Sequence, residues 1–313
     1  MNKKLEKVYR MTQMELKKYL TNHLKGKYNK ITEMDGFIYA EGTFPVLLVA
    51  HMDTVHDEYV KEIVYDDNGN KISSPQGIGG DDRNGIYMIM RIIKHYNCHV
   101  LFTEDEEIGC VGAHKFVNAI ANEKLRAPNV NYIIELDRKG SKDAVFYNCD
   151  NPEFEDFILE DKGWKLDYGS YTDIVEIAPI LGVAAVNFSC GYYNPHQKTE
   201  YVLLNEMEAN IAKVKNLLAR TTEKDRFEYI ETKYTYGRSY CSRGGTLYNW
   251  DAIYGKDYDD YGCHVWYVSA YNNKIGFIED EVYAETELEA YGQFLIDYPD
   301  VCVNDICEFI QEV

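Results

Sequence analysis

The sequence predicts an α/β domain, a mainly parallel mixed sheet flanked by helices, followed by a small C-terminal α+β lobe. Three observations predict it. Short apolar, β-branched runs alternate with stretches of helical period, the pattern of strands buried under helices on both faces. Three of those runs end in acids or a histidine. The composition also shifts late in the chain: residues 225–313 hold 18 Asp and Glu against 6 Lys and Arg, about −12 of the net −19, and 13 of the 28 tyrosines. The expected division is 1–222 and 223–313.

In chain order, residues 3–25 carry Leu5, Val8, Tyr9, Met11, Leu16, Tyr19, Leu20 and Leu24 at spacings of three and four, which predicts one amphipathic helix. "GFIYAEG" reads as a short strand and "PVLLVAHMD" as a central one. "EIVYDDNGNKISS" alternates about a turn at Asn68-Gly69 and reads as a hairpin; Lys71 stands where a calcium loop would need glycine. "GIGGDDRNGIYMIMRIIKHY" passes from a glycine-rich turn into a helix, "CHVLFTEDEEIG" is a strand ending in acid, and "GAHKFVNAIANEKL" is a helix. "VNYIIELDRKG" is another strand ending in acid, "TDIVEIAPILG" a helix, "VAAVNFSCG" a strand, and "NEMEANIAKVKNLLARTTEK" a long helix. In the C-terminal lobe, "GCHVWYVSAYNNKIGFI" reads as a hairpin turning at Asn272-Asn273 and "EVYAETELEAYGQFLIDY" as an acidic helix.

Composition excludes several classes of function. At 313 residues and 45 % hydrophobic content the chain can bury a large core. A net charge of −19 argues against nucleic acid, because phosphate and carboxylate repel. No apolar run approaches the ~18 residues of a membrane span, and the charged, periodic "MNKKLEKVYRMTQMELKKYL" is not a signal peptide. The expectation is a cytoplasmic protein without membrane contact. Its eight cysteines show no CxxC pair and are expected to stay reduced, with Cys302 and Cys307 packing on one helix or strand. His95 and His99 straddle a helix-to-strand change and are not read as a metal pair.

The polar strand ends carry the functional reading. They are His51 and Asp53, then Glu106 and Glu107, then Asp137, with the Asp81-Asp82 pair and His196 in adjoining turns. In open α/β sheets ligands bind at the carboxyl ends of strands, so these residues should converge on one rim. Singly, each has a plain explanation: a self-satisfied His–Asp pair, a helix N-cap, a solvated acidic turn, a surface ion pair, a loop histidine. Together, carboxylates and two histidines at strand ends form a zinc-like donor set.

The order "HMDTV", "GGDDRNG", "TEDEEIG", "ELD", "GSYTDI…LGV" and "HQKTE" resembles the co-catalytic zinc exopeptidases, a group that includes peptidase T, the glutamate carboxypeptidases and the dizinc aminopeptidases. The likeness spans roughly residues 35–220. It implies two divalent metal ions, zinc first with cobalt or manganese as alternatives. His51 and Asp137 would hold one ion, Glu107 and His196 the other, and Asp81 would bridge them. Asp53 would fix the tautomer of His51, and Glu106 would be the general base. The lidded branches insert about a hundred residues before the last histidine; here Asp137 to His196 is 59 positions, so the lid and its oxyanion histidine are absent. Tyr168, Tyr171, Tyr192 and Tyr193 are oxyanion candidates, with Tyr192 and Tyr193 favoured by their nearness to His196. The implied substrate is a peptide or an acyl-amino-acid, with an aminopeptidase favoured. The alternatives are an N-acyl-amino-acid amidohydrolase and a non-enzymatic scaffold contacting proteins through its acidic lobe.

Overall fold

The computed structural model describes residues 3–160, 162–169, 171–231, 264–272, 276–284 and 302–309. Contacts divide the chain into two units, Met1–Thr232 and Lys233–Val313.

The first unit is organised by its most apolar strand. In β3 (Phe44–His51), Val46, Leu48 and Ala50 enter one core cluster and Leu47 and Val49 the other. Alternation with both faces buried is the property of a central strand. Around it lie β1 (Ile31–Met34), β2 (Phe37–Ala40), β6 (Cys98–Thr103), β7 (Tyr132–Arg138), β8 (Asp143–Val145), β9 (Lys165–Asp167) and β10 (Ala185–Ser189). Their order across the sheet is β1-β2-β6-β3-β7-β10-β8-β9. β3 runs parallel to both β6 and β7, and β7 parallel to β10, so their carboxyl ends share one edge. A smaller antiparallel sheet joins β4 (Val64–Tyr65), β5 (Lys71–Ser73), β11 (Tyr192–Tyr193) and β12 (Tyr201–Leu203) in the order β11-β12-β5-β4.

Helices cover both faces. α1 (Lys3–Tyr9), α2 (Gln13–Lys25), α3 (Gly80–Ile92), α5 (Pro152–Leu159) and α7 (Leu204–Arg220) contribute Leu5, Leu16, Ile89, Phe154 and Val214 to the first cluster. α4 (Val111–Ala121) and α6 (Asp173–Leu181) contribute Phe116 and Ile177 to the second. The single helix expected over residues 3–25 is two. Thr12 caps α2 in a reciprocal box, its hydroxyl accepting from the Glu15 amide while Glu15 accepts from the Thr12 amide. None of the described helices is long and apolar enough to cross a membrane.

The first unit extends to Thr232 and not to residue 222 because the intervening segment packs on it. The Phe227 ring lies 5.1 Å from that of Phe154 and 5.0 Å from that of Phe157, and its amide donates to Asn131. In the second unit, β13 (His264–Asn272) pairs antiparallel with β14 (Gly276–Ala284) and with β15 (Cys302–Phe309). The hairpin and the Cys302–Cys307 stretch are thus strands. The acidic helix expected over 281–298 begins inside β14, and the rest of it lies outside the described residues.

Candidate metal centre

The strand register assembles the centre. Val49 pairs with Glu135, so two residues further on His51 and Asp137 emerge side by side. His51 Nε2 lies 3.5 Å from Asp137 Oδ1 and 3.2 Å from Asp81 Oδ1. The other oxygen of Asp81, Oδ2, lies 3.2 Å from His196 Nε2, which is also 3.1 Å from Glu107 Oε2. Asp81 therefore stands between two half-sites, with His51 and Asp137 on one side and Glu107 and His196 on the other. His51, Asp81 and Glu107 each offer an atom within 4.8 Å of the others.

The carboxylate pair opening α3 divides its work. Asp82 accepts the Gly85 amide at 2.8 Å, the N-cap role open to either residue, while Asp81 turns into the cluster. Asp82 also groups with His51 and Asp137. Asp53 accepts from His51 Nδ1 at 3.2 Å and from the amides of Glu106 and Glu107 at 3.1 and 3.0 Å. It orients the histidine and fixes the backbone that carries both glutamates. Glu106 Oε2 stands 4.0 Å from His51 Nε2, and its other oxygen accepts from the Cys110 thiol.

Of the tyrosine candidates, Tyr192 is brought to the cluster: its buried hydroxyl donates to Asp137 Oδ1 at 3.2 Å. Tyr193 is not, because neighbours on a strand face opposite ways and its hydroxyl donates to Glu206 at the start of α7. Tyr171 donates to Glu176, and Tyr168 is 66 % exposed.

Several residues the sequence reading passed over belong to the same centre. Thr172 donates to Glu135 at 2.8 Å and lies 3.4 Å from Asp137 Oδ2. Asp173 is fully buried beside Thr103, which donates to it. Arg83 is buried, and its guanidinium feels the carboxylates of Asp53 and Asp82. Glu200, in the quoted "HQKTE", is fully buried and accepts from His56 Nε2 and from the amides of Gly79 and Asp81.

The electrostatics describe a site short of positive charge. Burial raises Asp137 to about 7, aided by Asp81, and raises Asp173 to about 6. Glu106 is held well above the carboxylate range by burial and, against the pull of His51, by Asp137 and Glu107. Burial alone would depress His51, but Asp137 and Asp53 draw it well above its ordinary value. Hydrogen bonds to Asp81 and Glu107 raise His196 to about 11. Glu107 Oε1, Asp82 Oδ2 and Asp173 Oδ1 are buried without hydrogen-bond partners among the described residues. A buried carboxylate oxygen left in that state is costly unless a cation meets it. Three ligand carboxylates, two imidazoles and orphaned oxygens fit a pair of divalent ions.

Fold and site together define a mixed, mainly parallel α/β domain with a cluster of carboxylates and histidines at the strand ends. Among solved structures the fold is shared with aminopeptidase PepT from Bacillus cereus, at TM-score 0.55 and 15 % identity, covering 69 % of this chain and 96 % of that one. It is shared with a tripeptidase from Staphylococcus aureus, at TM-score 0.54 and 13 % identity over 69 % and 97 % of the two chains. It is shared too with an aminopeptidase from the archaeon Desulfurococcus kamchatkensis, at TM-score 0.53 and 15 % identity over 70 % and 94 %. No protein-family model matches the sequence, and no curated protein does.

Proposed function

We propose that this chain is a metal-dependent exopeptidase, an aminopeptidase in the first instance, that hydrolyses peptide bonds with water activated between two metal ions. The observation that carries the reading is the Asp81 carboxylate shared between His51 and His196, at 3.2 Å on each side. A hydrogen-bonded pair or a helix cap would need only one of those contacts.

His51 and Asp137 would hold one ion, Glu107 and His196 the other, and Asp81 both; zinc suits the set, with cobalt or manganese able to replace it. When bound, two such ions acidify water and polarise a carbonyl. The chain's own groups supply the rest. Glu106, beside the half-sites, takes the proton from water and passes it to the leaving amine. Tyr192 places a hydroxyl where a tetrahedral oxyanion can be met, a contribution of ~3 kcal/mol for one donor. The acidic surroundings favour a substrate presenting a free α-amino group. The described cysteines Cys98, Cys110, Cys149 and Cys190 are free thiols, which supports a reducing, cytoplasmic setting.

The test is hydrolysis of a panel of aminoacyl and N-acyl chromogenic amides by metal-loaded protein, before and after chelation. Glu106→Gln is expected to keep its metal and lose activity by a factor on the order of 10²–10⁴. Turnover of N-acyl amides alone would make the enzyme an amidohydrolase. Glu106→Gln with unchanged activity, or no metal-dependent hydrolysis at all, would defeat the proposal.

A further inference from the structure

The segments that bring the metal donors together are themselves joined by one carboxylate outside the donor set. Glu200 has no exposed surface, yet it accepts three hydrogen bonds. Oε2 takes the Gly79 amide and His56 Nε2, each at 2.8 Å, and Oε1 takes the Asp81 amide at 3.0 Å. His56 lies five residues beyond His51, and Glu200 four beyond His196 in a turn closed by its own amide on Gln197 at 2.9 Å. The loop after β3, the turn before α3 and the His196 loop therefore meet at one side chain.

The turn is shaped around that contact. Gly79 has φ 64°, in the left-handed region that favours glycine. A Cβ on Gly80 would lie 2.7 Å from the Tyr192 side chain and 3.1 Å from Glu200 Oε1. A Cβ on Gly77, at φ 89°, would strike the His56 ring at 2.3 Å. Imidazole and carboxylate occupy the space that side chains in the turn would need.

The geometry points to Glu200 as a positioning residue for the metal centre, with His56 as its partner: by holding the Asp81 backbone it sets the angle from which that carboxylate spans both half-sites. The inference rests on the two-metal reading above. Asp81 contacts His51 with one oxygen and His196 with the other, so a rotation of its peptide would lengthen one contact as it shortened the other. A neutral amide cannot replace Glu200, because its NH₂ would face a backbone N–H or His56 Nε2–H where an acceptor is required.

The experiment measures metal affinity by competition with a chelating dye, and the visible absorption of the Co²⁺-loaded protein, in full-length wild type, Glu200→Gln, His56→Phe and His56→Gln. Glu200→Gln and His56→Phe are expected to bind metal 10- to 100-fold more weakly, the range typical of residues that orient ligands, with an altered Co²⁺ spectrum. His56→Gln keeps an N–H donor and should recover both toward wild type. Wild-type affinity and spectrum in Glu200→Gln would overturn the inference. If that variant does not fold, wild-type behaviour of His56→Phe, or no recovery in His56→Gln, overturns it equally. A wild-type protein that takes up no metal would instead sink the two-metal reading itself.

Discussion

Asp53 shows how much one side chain in this site does. Its carboxylate is held below the usual range although burial pushes the other way, because His51 and the Glu106 and Glu107 amides all donate to it. Asp53→Asn loses one of those acceptor positions, and we expect metal affinity to fall about 10- to 100-fold, read by dye competition. His99 makes a separate prediction, about stability. It is buried in β6, and its Nδ1 lies 2.6 Å from the Tyr39 hydroxyl. Burial holds its imidazole below the ordinary value, with Glu41 opposing only in part, and burial keeps the Tyr39 proton in place to donate. The sign follows. Above ~6.5, the unfolded value, histidine is neutral in both states and this contribution is complete. As pH falls below that, the unfolded chain takes a proton that the folded chain refuses, and stability is lost until the pH passes the folded value. His99→Gln, which keeps a polar partner for Tyr39, should flatten that part of the acid limb in urea unfolding curves measured across the range. An unchanged limb would count against it.

At the scale of elements, close approach is decided by glycine. A Cβ at Gly85 in α3 would sit 1.8 Å from the Leu136 carbonyl of β7. Gly85→Ala must therefore push the helix bearing Asp81 away from the strand bearing Asp137, and a loss of about 1–3 kcal/mol or more in chemical unfolding is expected. The α1–α2 break makes a smaller prediction: Thr12→Ala removes the capping hydroxyl and should cost about 1 kcal/mol. That break is written in the sequence as Thr12 and Glu15, but apolar residues continue on either side of it at Met11 and Leu16, and periodicity alone predicts one helix. Strands buried on both faces, such as β3 and β7, were plain as apolar runs. β1, β8 and β9 are short and partly exposed, with no apolar run to mark them. The site was uneven for the same kind of reason. His51, Asp81, Glu107, Asp137 and His196 stand at the ends of readable strands or in glycine-rich turns, so the fold brings them to one rim. Glu135, Thr172 and Asp173 meet side chains far away in sequence, and Glu200 accepts one side chain and two backbone amides, contacts that leave no spacing to read. Tyr192 and Tyr193 were equal in sequence, and only strand pairing tells them apart.

At the scale of the molecule, both core clusters draw their buried residues from within Leu5 to Leu218, and the five proposed metal ligands lie inside that span. Metal binding should therefore stabilise the Met1–Thr232 unit as folding free energy, by roughly 2.7 kcal/mol for each site held at a hundred times its dissociation constant. Chelation should lower the unfolding temperature of the full chain, and adding metal back should restore it. The fragment 1–232 should show the same chelator-sensitive shift, since it carries both clusters and all of those ligands. The fragment 1–222 should not behave alike. It lacks Phe227, whose ring packs against Tyr132, Phe154 and Phe157, and it lacks the Phe227 carbonyl that accepts the Ala184 amide beside β10. Phe227 is half-buried, so its loss should cost less than the ~3–5 kcal/mol of a fully buried phenylalanine, yet still a sizeable share of the roughly 5–15 kcal/mol that holds a typical domain. Calorimetry of the two fragments with and without metal decides the matter: equal unfolding temperatures would place residues 223–232 outside the fold of the first unit, whereas a marked deficit in 1–222, partly offset by saturating metal, is what the packing requires.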